Sequence, residues 1–418
     1  MKRYKAYRDS GVKWIGEIPS HWEVKKLRTC FHERREKVSD KEFAPLSVSK
    51  LGITPHLETA VKTDNGDNRK KVAKGDFVVN SRSDRKGSCG FSDYDGSVSL
   101  INIVLTPRKI NKLFYHYLFR SNNYIEEFYS QGRGIVADLW TTRYSEMRNI
   151  CIPIPPLHEQ QAIVDYLKDK TLKIEQYVSA RERERELLDS LKQSEITNVV
   201  TKGLNPNVKM KDSGIPWIGE IPEHWEVRKL RHFIKFVSIK GFGEKKLLSV
   251  TREQGVIERN VESKEENHNF IPDDLNGYKL VKVGQFVINK MKSWQGSYGV
   301  SNFEGIVSPA YYVCDLNFPC KEYFSMAIRS KAYIPFFTQY SKGIRVDQWD
   351  LSPLGLKNIP FVVPPLSEQQ AIVAYIDSKL QKIDQYMTDL QREIDYLKEF
   401  KQRLISDAVT GQLCVTKQ

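Results

Sequence analysis

Two short polar loops carry most of the side chains that we select from this sequence as candidates for binding a charged partner. The first covers residues 81–87 and reads SRSDRKG, and the second covers residues 290–296 and reads KMKSWQG. Arginine and lysine bind phosphate oxygens and the acceptor edge of guanine, while glutamine can bind adenine through two hydrogen bonds. This chemistry is suited to contacting a nucleic acid.

The candidate contact residues are polar, cationic or aromatic side chains of these loops and of nearby turns. They are Ser81, Arg82, Ser83, Arg85, Lys86, Arg133 and Arg143 in the first half of the chain, and Lys290, Lys292, Ser293, Trp294, Gln295, Arg345 and Gln348 in the second. A further set ends two strand-like segments on a hydroxyl followed by a cation: Ser49, Lys50, Thr251 and Arg252. The alternative for each residue is an ordinary solvated surface side chain.

Catalytic motifs are missing from the sequence. It has no phosphate-binding GxxxxGK[ST], no dinucleotide-binding GxGxxG, no HExxH and no cysteine or histidine spacing typical of zinc. Glu23 and Lys25 have the E-x-K form of metal-dependent nucleases, but the surrounding segment offers no acidic partner. His21 and His224 lie between proline and tryptophan without an assigned carboxylate, which favours packing or capping over acid-base chemistry, and His158 is replaced by serine in the matching segment. We therefore predict no catalytic residue, no metal site and no bound cofactor.

The composition indicates a folded, cationic protein. The chain has 418 residues, 40% hydrophobic residues and a formal net charge of +13, and its isoelectric point is near 9.2. Such a charge favours a polyanionic partner, with nucleic acid the leading candidate. No apolar run is long enough to cross a bilayer and no secretory signal is visible, so we expect a cytoplasmic protein without a membrane contact. The scattered cysteines form no CxxC pair and are expected to be reduced.

The sequence consists of two copies of one unit. WIGEIPSHWEV at 14–24 recurs as WIGEIPEHWEV at 217–227, and PPLHEQQAIV at 155–164 recurs as PPLSEQQAIV at 364–373. The second pair is offset by 209 residues, the difference between Glu368 and Glu159 and half of the chain length. We interpret the tryptophan-rich segments as packing motifs, because large aromatic side chains dominate core energetics.

Each copy ends in a long helical pattern. The prolyl pairs predict helix starts near Leu157 and Leu366, and Gly203 and Gly411 are placed as C-terminal caps. The apolar stripe expected at the helix pair, which we call the seam, consists of Val164, Leu167, Ile174, Val178 and Leu188 in the first helix and Val373, Ile376, Leu380, Ile383, Met387, Leu390, Ile394 and Leu397 in the second.

Polar residues interrupt the seam of the first helix. Thr171, Arg181 and Arg185 occupy seam positions, and the alternating charges of 181–186 weaken the pattern. We expect the apolar stripe to resume one step shifted, through Leu187, Leu188, Leu191 and Ile196. If the two copies pack alike, they are related by an approximate two-fold axis, and the helices run antiparallel.

The predicted fold class is α+β, with two pseudo-two-fold-related globular α/β domains separated by two long antiparallel coiled-coil helices. We expect strands at 45–50, 74–80 and 149–154 with their repeats at 247–252, 283–289 and 358–363, and short helices near 111–129 and 320–340. The predicted segments are a first globular domain at 1–155, a long helix at 156–203, a second domain at 204–364, a second long helix at 365–411 and a tail at 412–418.

The doubled WIGEIPxHWEV and PPLxEQQAIV motifs resemble the specificity subunit family, HsdS, of type I restriction-modification systems, over nearly the whole chain. The resemblance implies a non-catalytic protein with two target recognition domains, each reading one half of a bipartite double-stranded DNA target. It also implies helices that fix the spacing and recruit two methyltransferase subunits, which the restriction and translocase subunits join. Adenine-N6 methylation and ATP-dependent cleavage, with their S-adenosylmethionine, ATP and Mg²⁺, would then belong to the partners.

Two alternatives stay open. A single-chain enzyme would need a cofactor or metal motif. A pure coiled-coil scaffold would bind no DNA, so charge reversal at Arg82, Arg85 and Arg345 would leave DNA retention unchanged.

Overall fold

The structure is a computed structural model that describes residues 3–55, 66–134, 140–260, 272, 274–343 and 349–416. Arg345 and Gln348 lie outside the described residues. The chain forms two compact units. The first unit combines Met1–Glu182 with Gln391–Gln418, and the second unit is the continuous stretch Arg183–Leu390.

The described residues of the first unit form thirteen short strands and three short helices before the long helix. The strands are β1 Tyr7–Asp9, β2 Glu17–Pro19, β3 Glu23–Lys26, β4 Phe31–Glu33, β5 Lys37–Val38, β6 Leu46–Ser49, β7 Gly52–Pro55, β8 Arg69–Val72, β9 Phe77–Asn80, β10 Cys89–Phe91, β11 Gly96–Val98, β12 Asn102–Pro107 and β13 Cys151–Ile154. The helices are α1 Lys112–Phe119, α2 Asn122–Ser130, α3 Tyr144–Met147 and the long α4 Leu157–Lys202, which continues into the second unit.

The second unit repeats most of this order of elements, with two additional short strands between its second and third short helices. Its strands are β14 Met210–Asp212, β15 Glu220–Pro222, β16 Glu226–Lys229, β17 Ile234–Val237, β18 Leu248–Thr251, β19 Gly255–Glu258, β20 Lys279–Val281, β21 Phe286–Asn289, β22 Tyr298–Val300, β23 Gly305–Val307, β24 Tyr311–Leu316, β25 Ser341–Lys342, β26 Asp350–Leu351 and β27 Pro360–Val363. Its helices are α5 Lys321–Arg329, α6 Ile334–Gln339, α7 Pro353–Asn358 and the long α8 Leu366–Val409, which continues into the first unit.

The largest sheet has the same strand order in both units. Four strands form a sheet in the order β10-β9-β12-β4 in the first unit and β22-β21-β24-β17 in the second. The last strand before each long helix pairs antiparallel with the strand after the tryptophan-rich turn, as β13 with β3 and β27 with β16. The mixed strand and helix content with two long helices confirms the predicted α+β class.

The described residues of each unit form one large and one small hydrophobic core. In the first unit the large core joins Trp22, the aromatic faces of α1 and α2, and residues from both long helices. In the second unit Trp225 and α5 are packed in the same way. A smaller cluster fixes the base of a β-hairpin, with Leu46 and Ile53 in β6 and β7 and Leu248 and Val256 in β18 and β19.

Local sequence explains where the helices begin and end. Ser121 accepts a hydrogen bond from the backbone N–H of Tyr124 and thereby caps α2, which is why the helical stretch 111–129 forms two helices. The long helices begin at Leu157 and Leu366, as the prolyl pairs predicted. Each ends just before a glycine with positive φ, Gly203 at 76° and Gly411 at 80°, because only glycine adopts this conformation without strain.

The two long helices pack antiparallel against each other within each unit. In the first unit Lys401 Nζ donates to Glu175 Oε1 at 2.7 Å and Lys398 Nζ donates to Glu182 Oε1 at 2.9 Å. In the second unit Lys192 Nζ donates to Asp384 Oδ1 at 2.6 Å. The position numbers fall along one helix as they rise along the other, which is the antiparallel register expected from the repeat.

The structure buries or partly buries every predicted seam residue. Val164, Leu167 and Val178 of α4 and Ile376, Leu390 and Ile394 of α8 are buried, and the other predicted seam residues are half-buried. Thr171 is also buried, and Arg181 is half-buried with an ion pair to Glu393 at 3.2 Å.

The expected shift of the apolar stripe was wrong. Leu187 and Leu191 are exposed, and so is Arg185, whereas Glu184 is half-buried and accepts a hydrogen bond from the Tyr386 hydroxyl at 2.6 Å. A polar stretch in the middle of α4 therefore meets polar groups of α8, and the stripe continues through Leu188 without changing side.

Candidate nucleic-acid interface

In the first unit the backbone gathers several predicted contact residues around one short bridge. Arg82 and Arg133 each form an isolated β-bridge with Thr141. The N–H of Ser83 donates to the carbonyl of Trp140 at 2.9 Å, and the N–H of Trp140 donates to Ser83 Oγ at 3.0 Å. Loop 81–87 and the segment around Thr141 thus form one surface that the sequence suggested only as separate pieces.

Exposed cations cover this surface. Arg85, Arg133 and Arg143 are exposed, and Arg82 donates two hydrogen bonds to Asp84 at 2.9 and 3.1 Å. Lys86 pairs with Glu126 at 2.8 Å. Ion pairs between exposed side chains contribute little to stability. Arg82 and Lys86 can therefore leave their carboxylate partners, Asp84 and Glu126, and bind a phosphate group instead.

The corresponding loop of the second unit is less basic and more aromatic. Lys290 pairs with Asp350 at 2.9 Å, and Lys292 is exposed. The rings of Trp294 and Trp349 are tilted against each other with centroids 5.2 Å apart. Gln295 is half-buried beside them in the loop. The two surfaces share a scaffold but present different chemistry.

The prediction that Ser81 and Ser293 contact a partner has to be corrected, because their side chains are buried. Ser81 Oγ donates to the carbonyl of Ile101 at 2.5 Å. Ser293 Oγ donates to the carbonyl of Lys290 at 3.2 Å and lies 3.3 Å from Ser341 Oγ. Burial and internal hydrogen bonds give both serines a role in loop structure and withdraw them as contact residues.

The second set of candidates lies at two β-hairpin tips. Lys50 and Arg252 are exposed there. Ser49 Oγ accepts a hydrogen bond from the N–H of Leu51, and Thr251 Oγ1 accepts one from the N–H of Gln254, both at 3.1 Å. The hydroxyls therefore shape the turns, and the residues that follow them point to solvent.

The repeated histidines have carboxylate partners that sequence reasoning missed. His21 Nε2 lies 2.5 Å from Glu159 Oε1, and Trp22 Nε1 donates to Glu159 Oε2 at 3.0 Å. In the second unit His224 and Trp225 contact Glu368 in the same way, at 2.6 and 2.9 Å. The statement that no carboxylate is fixed near these histidines was wrong. We call each arrangement a carboxylate clamp, since it ties the start of a long helix to the tryptophan-rich turn.

The first carboxylate clamp has an additional donor. The Tyr4 hydroxyl donates to Glu159 Oε2 at 2.9 Å. Burial by itself would raise the pKa of Glu159, but the hydrogen bonds from Trp22, His21 and Tyr4 outweigh it, and the pKa lies below its ordinary value. The carboxylate is held as an anion in a structural contact.

The described residues form neither a metal-binding cluster nor a membrane-spanning helix. No group of three or more histidine, cysteine, aspartate or glutamate side chains in the described ranges is arranged to hold a metal ion. None of the helices in that part of the chain is long and apolar enough to cross a bilayer. Glu23 and Lys25, the E-x-K pair, form an ion pair with each other on strand β3.

The first half of the chain is similar to a known family of domains. Residues 19–180 match the family of the type I restriction modification DNA specificity domain. This stretch contains loop 81–87, the bridge at Thr141, and the residues His21, Trp22 and Glu159 of the first carboxylate clamp.

Whole-length comparisons extend the similarity to both units. The chain is 23% identical to the putative type I restriction enzyme MjaX specificity subunit of Methanocaldococcus jannaschii, over 96% of each chain. It is 24% identical to the MjaVIII specificity subunit of the same organism, over 95% of this chain and 94% of the relative. These similarities confirm the predicted resemblance to the type I specificity subunits.

A solved structure shares the fold. A chain described in work on complex assembly and conformational transition of the type I R-M system matches with a TM-score of 0.66, 15% identity and coverage of 95% of this chain and 99% of that chain. At 15% identity the match supports the fold alone. It agrees with two domains of mixed helix and strand content and two long helices.

Proposed function

We propose that this chain is the non-catalytic DNA sequence-recognition subunit of a type I restriction-modification complex in the cytoplasm. Each globular domain reads one half of an asymmetric bipartite target, and the long helices set the spacing. The observation that carries the proposal is one scaffold built twice with different exposed loops, basic around Arg82 and Arg133 and aromatic around Trp294. Reading two different half-sites requires this combination of a common frame and unlike contacts.

The exposed residues of the long helices support two copies of one partner. The pairs Tyr177 and Tyr386, Leu187 and Tyr396, and Leu191 and Phe400 are each separated by the repeat distance, and all six side chains are exposed. The first unit contains Tyr177, Tyr396 and Phe400, and the second contains Tyr386, Leu187 and Leu191.

Because exposed apolar patches mark protein interfaces, we take the recurrence of these residues in both copies as support for a protein contact. We assign this duplicated surface to two methyltransferase subunits. The restriction and translocase subunits then join that core. S-adenosylmethionine, ATP and Mg²⁺ are expected to bind to these partners and not to this chain.

Methylation mapping tests the proposal. A host carrying this chain with its methyltransferase should show adenine methylation at one bipartite motif. Replacing residues 1–155 with another recognition domain should change one half of that motif and leave the other half intact. A change in both halves, or methylation by this chain alone, would contradict the proposal.

Charge reversal separates this function from that of a scaffold without DNA contact. Arg82→Glu together with Arg85→Glu should weaken DNA retention by the assembled complex by at least about tenfold, because each phosphate contact contributes to affinity. The matched control is Lys168→Glu together with Lys173→Glu on α4, outside the proposed contact surface. Equal retention by both double variants would favour the scaffold.

A further inference from the structure

The two hairpin tips are held by the same arginine in both units. Arg120 follows α1 and Arg329 ends α5, and the two positions are separated by the repeat distance. Arg120 Nη2 donates to the carbonyl of Lys50 at the tip of the β6–β7 hairpin. Arg329 Nη2 donates to the carbonyls of Arg252 and Glu253 at 3.0 and 2.8 Å, at the tip of the β18–β19 hairpin.

Arg329 also connects its hairpin to the neighbouring sheet. Its Nη1 donates to the carbonyl of Tyr298 in β22 at 2.8 Å. One planar guanidinium therefore bonds three carbonyl oxygens from two segments. The fixed geometry of the guanidinium allows this, whereas a lysine ammonium cannot reproduce it.

A close contact between two glycines supplies a second anchor in each unit. A Cβ added to Gly90 in β10 would lie 3.2 Å from the Cα of Gly52, and one added to Gly299 in β22 would lie 3.4 Å from the Cα of Gly255. Gly90 and Gly299 are again one repeat apart. The hairpin backbone thus lies directly on a strand of the central sheet, and a side chain at Gly90 would displace it by a few tenths of an ångström.

The tips themselves differ in length and chemistry. The first presents Lys50 and Leu51, of which Leu51 is 91% exposed. The second presents Arg252, Glu253 and Gln254, all exposed. An apolar side chain can contact the thymine methyl group, glutamine can pair with adenine and glutamate can accept from cytosine. A rigid support under unlike tips is the arrangement that a reading element requires.

We propose that residues 49–52 and 251–255 determine sequence specificity in the two half-sites, and that Arg120 and Arg329 are the positioning residues that aim them. This inference rests on the proposed function. The arginines bond only backbone carbonyls of the tips, so they support whatever side chains the tip carries. Holding a loop in its binding conformation before DNA arrives reduces the ordering cost of recognition.

Single substitutions in the full chain, assembled with the methyltransferase, test the proposal. The measurement is adenine methylation of DNA libraries in which one base of either half-site is varied. Arg120→Gln should lower discrimination about tenfold in one half and leave the other unchanged, and Arg329→Gln should do the same in the opposite half. Arg120→Lys should keep most of its discrimination, since a single donor suffices there, while Arg329→Lys should not.

The control is Arg148→Gln, which removes an exposed arginine of the first unit that is not among the proposed contacts. Thermal unfolding of each variant establishes that it is folded. Unchanged discrimination in folded Arg120→Gln and Arg329→Gln overturns the inference, as does equal loss in both halves from one substitution.

If Arg329→Gln does not fold, substitutions at the hairpin tips test the inference instead. Lys50→Ala with Leu51→Ala, and Arg252→Ala with Gln254→Ala, leave the arginines and glycines in place. Each pair should lose discrimination in one half only, and unchanged discrimination overturns the inference. A wild-type complex without any sequence preference would instead overturn the proposed function.

Discussion

The two carboxylate clamps share the same hydrogen bonds from histidine and tryptophan, and the first clamp has one more, from Tyr4. Glu159 and Glu368 each accept hydrogen bonds at the start of a long helix from equivalent tryptophans. The side chain of Glu159 is 6% exposed and that of Glu368 is 38% exposed. Tyr4 accounts for part of the difference, because it covers Glu159 and bonds to it. We therefore expect the negative charge of Glu159 to contribute more to stability than that of Glu368.

The largest expected effect comes from neutralising the buried carboxylate. Glu159→Gln replaces an acceptor of three donors by an amide that presents an N–H₂ group to them, and should lower the free energy of unfolding by about 2 to 3 kcal/mol. Glu368→Gln should cost about 1 kcal/mol, since water can replace the lost contacts. Urea unfolding followed by tryptophan fluorescence measures both, and equal losses would remove the distinction between the clamps.

The first unit should lose stability between pH 7 and pH 5 because of a buried histidine. Burial, and then the neighbouring Arg120, lower the pKa of His116 to about 4. The unfolded chain has a histidine pKa near 6.5, so the folded state takes up protons less readily. The contribution of neutral His116 is complete above pH 6.5 and is lost as pH falls from 6.5 towards 4, on the order of 2 kcal/mol.

The second unit has Ser325 at the position of His116. His116→Ser should therefore abolish this part of the acid sensitivity, measured as the change in urea midpoint between pH 7 and pH 5. The Glu159 carboxylate does not contribute to this change between pH 7 and pH 5. Its pKa is lowered from 4.5, so the protein loses the stabilisation by Glu159 only at lower pH. Identical pH profiles for wild type and variant would show that His116 does not titrate as stated.

Removing only the additional donor should make the first clamp resemble the second. Tyr4→Phe deletes the hydroxyl that bonds Glu159 Oε2 and should cost about 1.5 kcal/mol. In a double-mutant cycle with Glu159→Gln, the second substitution should cost less than it does alone. Additive losses would mean that the two residues act independently.

The smallest effect is expected at a seam position that differs between the copies. Thr171 is buried where the second copy has Leu380, and it lines a cavity of about 860 Å³ in the first unit. Thr171→Leu adds apolar area without obvious crowding and should raise the free energy of unfolding by about 1 kcal/mol. A loss of stability would show that the Thr171 hydroxyl is needed.

Much of the fold was predictable because its signals are local. Prolyl pairs mark the starts of the long helices at Leu157 and Leu366, and Gly203 and Gly411 mark their ends. The repeat itself predicted the antiparallel pairing.

The polar middle of α4 was less predictable. Residues 181–186 alternate in charge, so the spacing of apolar residues could not predict which side of α4 faces α8 there. Glu184 rather than Arg185 proved to be half-buried.

The contacts of the candidate site were hidden because they join residues far apart in the chain. His21 was assigned no carboxylate because Glu159 lies 138 positions away. Arg120 was overlooked for the same reason, being 70 positions from Lys50. The only available signal was that an Arg-Ser pair recurs at 120–121 and 329–330. Ser81 and Ser293 resembled contact residues by type, and only their burial revealed another role.

The discontinuous make-up of the first unit has a consequence for biosynthesis. The second unit is one continuous stretch, whereas the first needs both Met1–Glu182 and Gln391–Gln418. Tyr7 bonds the carbonyl of Gly411, and a side chain at Gly411 would collide with Pro19 and Trp22. On the ribosome, residues made first must therefore wait tens of seconds for the last ones, at roughly 5 to 20 residues per second. A chain that is terminated shortly after Leu390 thus contains one complete unit and one unfinished one, so translation has to reach the C-terminal segment before both units exist.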